Sequence, residues 1–499
     1  MADTERKNAS ASASASANES SPSGRRRYLR WLVFITISLV CFGQYFVYDS
    51  VTPLATRIKE ELGMSGAQYG LLSSYYSIPN VFLAMVLFAG ILVDKLGLKL
   101  SGLVYALLCL VGALLTAVGA SSSLPAILGG GYGWLATAFA PDYSPELKIM
   151  LLGRAIYGVG AEAVLIVNNK VLARWFRGKE LAFAFGLNLT IMRLGTFAAL
   201  NIQAPIAESL GIQGALWFAV VVMLLGLVSF FVYLAAERVA PRPAVAPSAA
   251  AGVAGEGSSP AEKFQLRDIF RFEPRFWYTT GICFAFYSAV FPFLWYAPDI
   301  LVQRFGVSAV IAGTYSSALI LGTMIFTPIF GHVVDRYGKR ASLMAWGSLS
   351  IIPCFIVMAL THFIPIVPIF LIGVALSLVP AALWSSVPLI VAEERLGTAF
   401  GVIGYLQNVG LMLFPWIAGK LADASTTEAL APQREISSLC RQLGEQAIAL
   451  CERIARLLGE RLSVIEYRNA LLMFSALGVL GFFFALLLER ADKHSKTSL

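Results

Sequence analysis

Charge is the scarcest commodity of this 499-residue chain: Asp, Glu, Lys and Arg make up 14% of it, against about 25% in soluble domains. Histidine is scarcer still, with His332, His362 and His494 far apart, so no histidine-based catalytic centre is expected. Of the six cysteines, Cys41, Cys109, Cys283 and Cys354 lie in apolar runs. Cys440 and Cys451 fall too far apart along one expected helix to bond each other, and no pair has metal-ligand spacing. There is no G-x-x-x-x-G-K-[ST] loop, no H-E-x-x-H and no nucleophile elbow with a partnering histidine. These absences speak against a P-loop ATPase or primary pump, a zinc protease and a serine hydrolase. No enzyme and no cofactor is expected.

What fills the space is hydrocarbon. Hydrophobic residues are 57% of the chain and its mean hydropathy is +0.71. A helix needs about 20 apolar residues to cross a bilayer, and runs such as 103–141 and 281–297 meet that length. The expected class is an all-α, multi-pass integral membrane protein, with the lipid bilayer as its surroundings. The net charge of +8 does not point to nucleic acid, because the bases lie in short clusters between apolar runs. Arg25, Arg26, Arg27 and Arg30 precede the first run, and Arg174, Arg177 and Lys179 follow the fourth. That is the positive-inside pattern, and it puts both termini in the cytoplasm.

Apolar runs bounded by charge or Gly/Pro place spans near 28–50, 67–93, 99–121, 148–172, 180–206 and 213–236. A second set falls near 275–302, 308–333, 340–362, 365–391, 397–423 and 467–489, about twelve in all. The Gly-rich piece 121–143 is apolar enough to be mistaken for a further span. Lys95 and Lys99 before it and Arg174 to Lys179 after it should share the cytoplasmic side, so an even number of crossings separates them and the piece is an outer loop. The expected organisation is a disordered cytoplasmic leader (1–27), a six-helix bundle (28–236), a Pro/Ala/Gly/Ser-rich cytoplasmic linker (237–274), a second six-helix bundle (275–489) and a cytoplasmic tail (490–499). Within the second bundle, 424–466 carries apolar residues at helical spacing between charges and is expected to be an outer amphipathic insertion.

One motif occurs twice. "GILVDKLGLK" (90–99) and "GHVVDRYGKR" (331–340) both read G-x-x-x-D-[RK]-x-G-x-[KR] at a cytoplasmic joint between two spans. Asp94, Lys95 and Gly97 in one copy match Asp335, Arg336 and Gly338 in the other, with glycine for a tight turn and an acid to pair or cap. Interfacial anchoring explains one copy but not two at matching places in two halves; parallel repeats are a transporter architecture. The doubled loop resembles the signature of the major facilitator superfamily, and "GRAIYGVG" (153–160) is similar to its fourth-span pattern. The fifth-span antiporter run Gly-x-x-x-Gly-Pro is replaced by "FGLNLTIMRLGTFAAL". Stretches in both halves, "YFVYDSVTPLATRIKEEL", "GAEAVLIVNNKVLARWFRGKELAFAFGLNLTIMRLGT" and "ERLGTAFGVIGYLQNVGL" among them, resemble the lysosomal dipeptide uniporter group of that superfamily. The resemblance implies two pseudo-symmetric bundles working by alternating access, a dipeptide or similar zwitterion as substrate, and a single-span glycoprotein partner. It also implies a lysosome-like organelle membrane, with a plasma or inner membrane as the other option.

Few ionisable residues fall inside the spans. A carboxylate at mid-membrane costs at least ~2.5–3.5 kcal/mol, so Glu162, halfway down the fourth span, needs a reason. Arg193 lies halfway along the fifth, at the same depth. The two form either a structural ion pair or the two ends of a zwitterion site, with Arg193 on the carboxylate and Glu162 on the ammonium. Tyr48, Asp49, Tyr75 and Asn169 are candidate substrate contacts from the first half, and Tyr287, Trp384 and Gln407 from the second. Arg154, nearer the outer side, is a gate, a coupling residue or a packed helix end. Two further functions stay open: proton-coupled movement of another small organic anion, and a receptor or scaffold on a transporter fold.

Overall fold

The computed structural model describes residues 22–83, 85–138, 140–176, 180–239, 272–392, 395–442 and 467–493. The leader up to residue 21, the linker over 240–271, the 443–466 part of the outer insertion and the tail from 494 lie outside the described residues.

Helices make up nearly all of the rest, and no strand occurs among the described residues. In chain order they are α1 (Pro22–Asp49), α2 (Ala55–Glu61), α3 (Gly66–Phe82), α4 (Met85–Gly119), α5 (Leu124–Leu128), α6 (Gly130–Thr137), α7 (Pro145–Phe176) and α8 (Leu181–Val239). There follow α9 (Pro274–Phe305), α10 (Ala309–Tyr337), α11 (Arg340–Leu360), α12 (Ile366–Ile390), α13 (Leu396–Gln442) and α14 (Arg468–Lys493). Among the described residues ten stretches are long and apolar enough to cross a membrane. One of them, Phe183–Val239, is 57 residues long and turns at Gly211, where φ is +71, so it is long enough for two crossings. Helix α3 lies before α4 and is followed by a break at Leu83; the arrangement is consistent with the twelve spans expected. The Gly-rich stretch after the third crossing folds into α5 and α6, five and eight residues long and too short to span.

Both copies of the repeated motif put their turn glycine at positive φ where one crossing passes into the next. Gly97 has φ +81 inside α4, and Gly338 has φ +60 at the end of α10. A side chain is strained in that region, which is why glycine recurs at this place in the repeat. Asp335, Arg336 and Lys95 are exposed there.

Helices α1–α8 pack mainly among themselves, as do α9–α14. The two sets meet at the end of the bundle farthest from Pro22 and Lys493, hereafter the distal end. There α13 runs beside α3, α8 meets α10, and the turn Thr52–Leu54 touches α9. The contact fades toward the opposite, proximal end, where α13 scarcely touches α4. Asn80 and Asn408 still share a hydrogen bond of 3.4 Å, but Phe82, Leu83 and Phe88 just beyond are 72%, 58% and 59% exposed. The bundle is closed distally and parted proximally.

Candidate functional site

The site grows from one close approach of helices. Gly158 lies where α7 crosses α3 so tightly that a Cβ there would sit 2.1 Å from the Tyr76 carbonyl oxygen. Small residues are what allow membrane helices such contact. One turn along the same face of α7 is Glu162, and the shared contact brings the Tyr76 hydroxyl to it, donating to Glu162 Oε1 at 2.9 Å. Tyr76 in turn packs edge-on to Tyr48, with ring centroids 4.7 Å apart, and lies 6.1 Å from Tyr157.

Arg154 occupies the middle of this aromatic group and is 1% exposed. Its Cζ lies 5.4 Å from the Tyr48 ring centre, 6.0 Å from Tyr76, 5.6 Å from Tyr157 and 5.0 Å from Trp295. Nε donates to the Leu72 carbonyl at 3.1 Å and Nη1 to the Tyr48 carbonyl at 3.2 Å, while Nη2 is buried without a hydrogen-bond partner among the described residues. Ring faces carry the negative part of the aromatic quadrupole, so the four rings help compensate the cation. Trp295 belongs to α9, and the cage therefore straddles both sets of helices.

Arg193 is half-buried, and its Cζ lies 5.9 Å from the Tyr45 ring. Among the described residues no ion pair joins it to Glu162. Glu162 meets Tyr76, next to the close α3–α7 approach at Gly158. Asp49, at the end of α1, is buried and accepts a 2.7 Å hydrogen bond from the Thr196 hydroxyl, one turn beyond Arg193 on α8. Tyr75 and Asn169 are half-buried, Asn169 two turns proximal to Glu162.

The second set of helices presents an apolar counterpart. Trp384 Nε1 donates to the Tyr287 hydroxyl at 3.1 Å, Tyr287 stacks on Phe291, and Trp384 lies 6.0 Å from Phe400. Gln407 Oε1 accepts from the Cys283 thiol at 3.6 Å. Tyr287, Trp384 and Gln407 thus fall in one neighbourhood. The side chain of Asp94 lies outside the described set. Sequence reasoning passed over Tyr157 and the ring cage as such, because aromatic residues recur along every span and nothing in their spacing marks the four that converge.

A bundle of membrane-length helices, closed at one end, parted at the other and holding ionisable groups between its two sets of helices, has the build of a solute transporter rather than of an enzyme. The chain belongs to the Major Facilitator Superfamily, whose family model matches residues 34–415. Among its curated relatives, the "Lysosomal dipeptide transporter MFSD1" of Danio rerio is 28% identical over 409 residues, which cover 79% of this chain and 81% of that protein. The protein of the same name from Homo sapiens is 28% identical over 400 residues, covering 79% and 80%. Among solved structures, a bacterial homologue of the human lysosomal transporter Spinster, described as inward-facing and unoccupied, superposes with a TM-score of 0.66 at 18% identity, covering 93% of this chain and 98% of that one. This last likeness bears on the fold.

Proposed function

We propose that the chain is a uniporter that moves small zwitterionic solutes, dipeptides above all, by alternating access between the bundles 28–236 and 275–489. The observation that carries the reading is a half-buried acid, Glu162, held by Tyr76 at mid-membrane beside the parting of the bundles, in a chain similar to dipeptide transporters over most of its length. Glu162 takes the substrate ammonium and Arg193, from the neighbouring crossing, takes the carboxylate, a role its planar fork suits. Tyr48, Asp49, Tyr75 and Asn169 line the first-bundle side, while Tyr287, Trp384 and Gln407 receive the side chains of the peptide. Arg154 does not touch substrate in this scheme; caged by rings of both bundles, it is a structural and gating residue. The positive-inside pattern makes the proximal end cytoplasmic, so the structure corresponds to the inward-open state.

The test is a thermal-shift screen of the purified chain against dipeptides, free amino acids, sugars and organic anions. Dipeptides are expected to raise the melting temperature, and Glu162→Gln and Arg193→Ala each to abolish that rise while the apo melting temperature stays within a few degrees. If both variants are stabilised by dipeptides like the parent, the site is elsewhere.

A further inference from the structure

The distal closure rests on a buried ionic group. Asp299, on α9, is 0% exposed. It accepts from the Thr56 hydroxyl at 2.6 Å, lies 2.7 Å from Lys59 Nζ and accepts a hydrogen bond from the Tyr467 hydroxyl. Lys59 Nζ also donates to the Tyr467 hydroxyl at 3.3 Å. These partners divide unevenly between the bundles. Thr56 and Lys59 stand on α2 of the first, whereas Tyr467 precedes α14 and belongs with Asp299 to the second. A second carboxylate makes a similar reach: Asp423, on α13, accepts from the Gly66 and Ala67 amides at 2.6 and 2.8 Å. Those two N–H groups open α3 and are the ones its own Ser65–Gln68 capping box leaves unfilled.

We propose that Asp299 and Asp423 are the latch of the distal gate, and that Tyr467 is the residue that lets the latch release. This rests on the alternating-access reading above. When the bundles part distally, Asp299 loses Thr56 and Lys59 together but keeps the Tyr467 hydroxyl, which travels with it. A carboxylate stripped of every partner in a partly dry gate is costly, and Tyr467 lowers that cost in the open state. The α3 terminus has the same provision: its Ser65 box stays behind when Asp423 leaves, so only two amides need water.

The unequal sharing predicts opposite signs at neighbouring residues. Asp299→Asn and Lys59→Met remove attraction that exists across the gate only when it is closed, and Lys59→Met also leaves Asp299 buried without its cation. Both favour distal opening. In the closed state Tyr467→Phe removes one of three partners of Asp299 and the long Lys59 contact to the same hydroxyl, while in the open state it removes the last partner of Asp299; the second loss is the larger, so the variant favours closure. Lys59→Arg keeps the ion pair and serves as the conservative control.

The experiment is a pulsed electron-spin distance measurement across the distal end in liposomes. Spin labels are placed at Ser122→Cys and His362→Cys, two exposed positions on opposite bundles, with Cys440 and Cys451 changed to serine. Asp299→Asn and Lys59→Met are expected to raise the ratio of long to short distances at least about tenfold. Tyr467→Phe is expected to lower it about fivefold, with Lys59→Arg near the parent. Two populations in the parent whose ratio neither Asp299→Asn nor Lys59→Met moves would overturn the latch while leaving alternating access intact. A Tyr467→Phe shift toward long distances would overturn the release role. One short distance in the parent and every variant would overturn alternating access, and the latch with it.

Discussion

Tyr76 gives Glu162 a neutral hydrogen-bond donor, and that matters for a site that must take a cation from solution. A hydrogen bond from a phenol orients the carboxylate without neutralising its charge. Tyr76→Phe is therefore expected to loosen the orientation of Glu162 without neutralising it. Dipeptide affinity should fall about fivefold to tenfold by isothermal titration, the worth of one ordinary hydrogen bond (~1 kcal/mol), and far less than in Glu162→Gln. Equal losses in the two variants would mean that Tyr76 itself contacts the substrate. Depth in the membrane is legible in the sequence, since it follows from counting residues between charged ends, and it places Glu162 and Arg193 level. Rotation about the helix axis is not legible, because it is set by the small residues at which helices touch. That is why the Tyr76–Glu162 bond is not readable from depth, and why Arg154, an outer-turn residue by count, turns out to be ringed by Tyr48, Tyr76, Tyr157 and Trp295.

At the scale of elements, the α3–α7 crossing is the joint on which the site depends. A side chain at position 158 would collide with the backbone of Tyr76 rather than with a flexible side chain, so the helices themselves have to separate. Gly158→Val should cost about 1–3 kcal/mol as an overpacking change, lower the apo melting temperature and break the Tyr76–Glu162 bond at the same time. Binding is then lost along with stability, unlike in Tyr76→Phe, where the apo melting temperature barely moves; a Gly158→Val variant that melts and binds like the parent would show the crossing to be looser than described. The same crossing has a counterpart at the gate. Gly70 on α3 faces the Pro415 carbonyl and the Tyr296 hydroxyl, where a Cβ would lie 2.4 and 2.5 Å away. Gly70→Ala should wedge the distal end open and shift the spin-label distances as Asp299→Asn does. The crossings themselves are readable from apolar length, and their joints from Gly97 and Gly338, because those features are local. The pairing of α3 with α13, or of Thr56 with Asp299 across 243 positions, has no local signature.

For the whole molecule, the question is what energy the two-bundle motion uses. Apart from the distal latch acids Asp299 and Asp423, two carboxylates of the first bundle bear on the question, Glu162 and Asp49, each engaged by a hydroxyl, Tyr76 on one and Thr196 on the other. In a uniporter the substrate ammonium is the only cation Glu162 exchanges, and flux stops when the peptide is equal on both sides. In a proton-coupled carrier one of these acids would have to bind and release a proton at each turn of the cycle. Proteoliposomes distinguish the two. With a peptide gradient alone, uptake of a radiolabelled dipeptide should run down to equality and be speeded by unlabelled dipeptide on the far side. With equal peptide and an imposed pH gradient, no accumulation above equality is expected, and Asp49→Asn should retain peptide-driven flux. Accumulation driven by the pH gradient and lost in Asp49→Asn would make Asp49 the proton carrier and the chain a coupled transporter, with Glu162 left to the substrate alone.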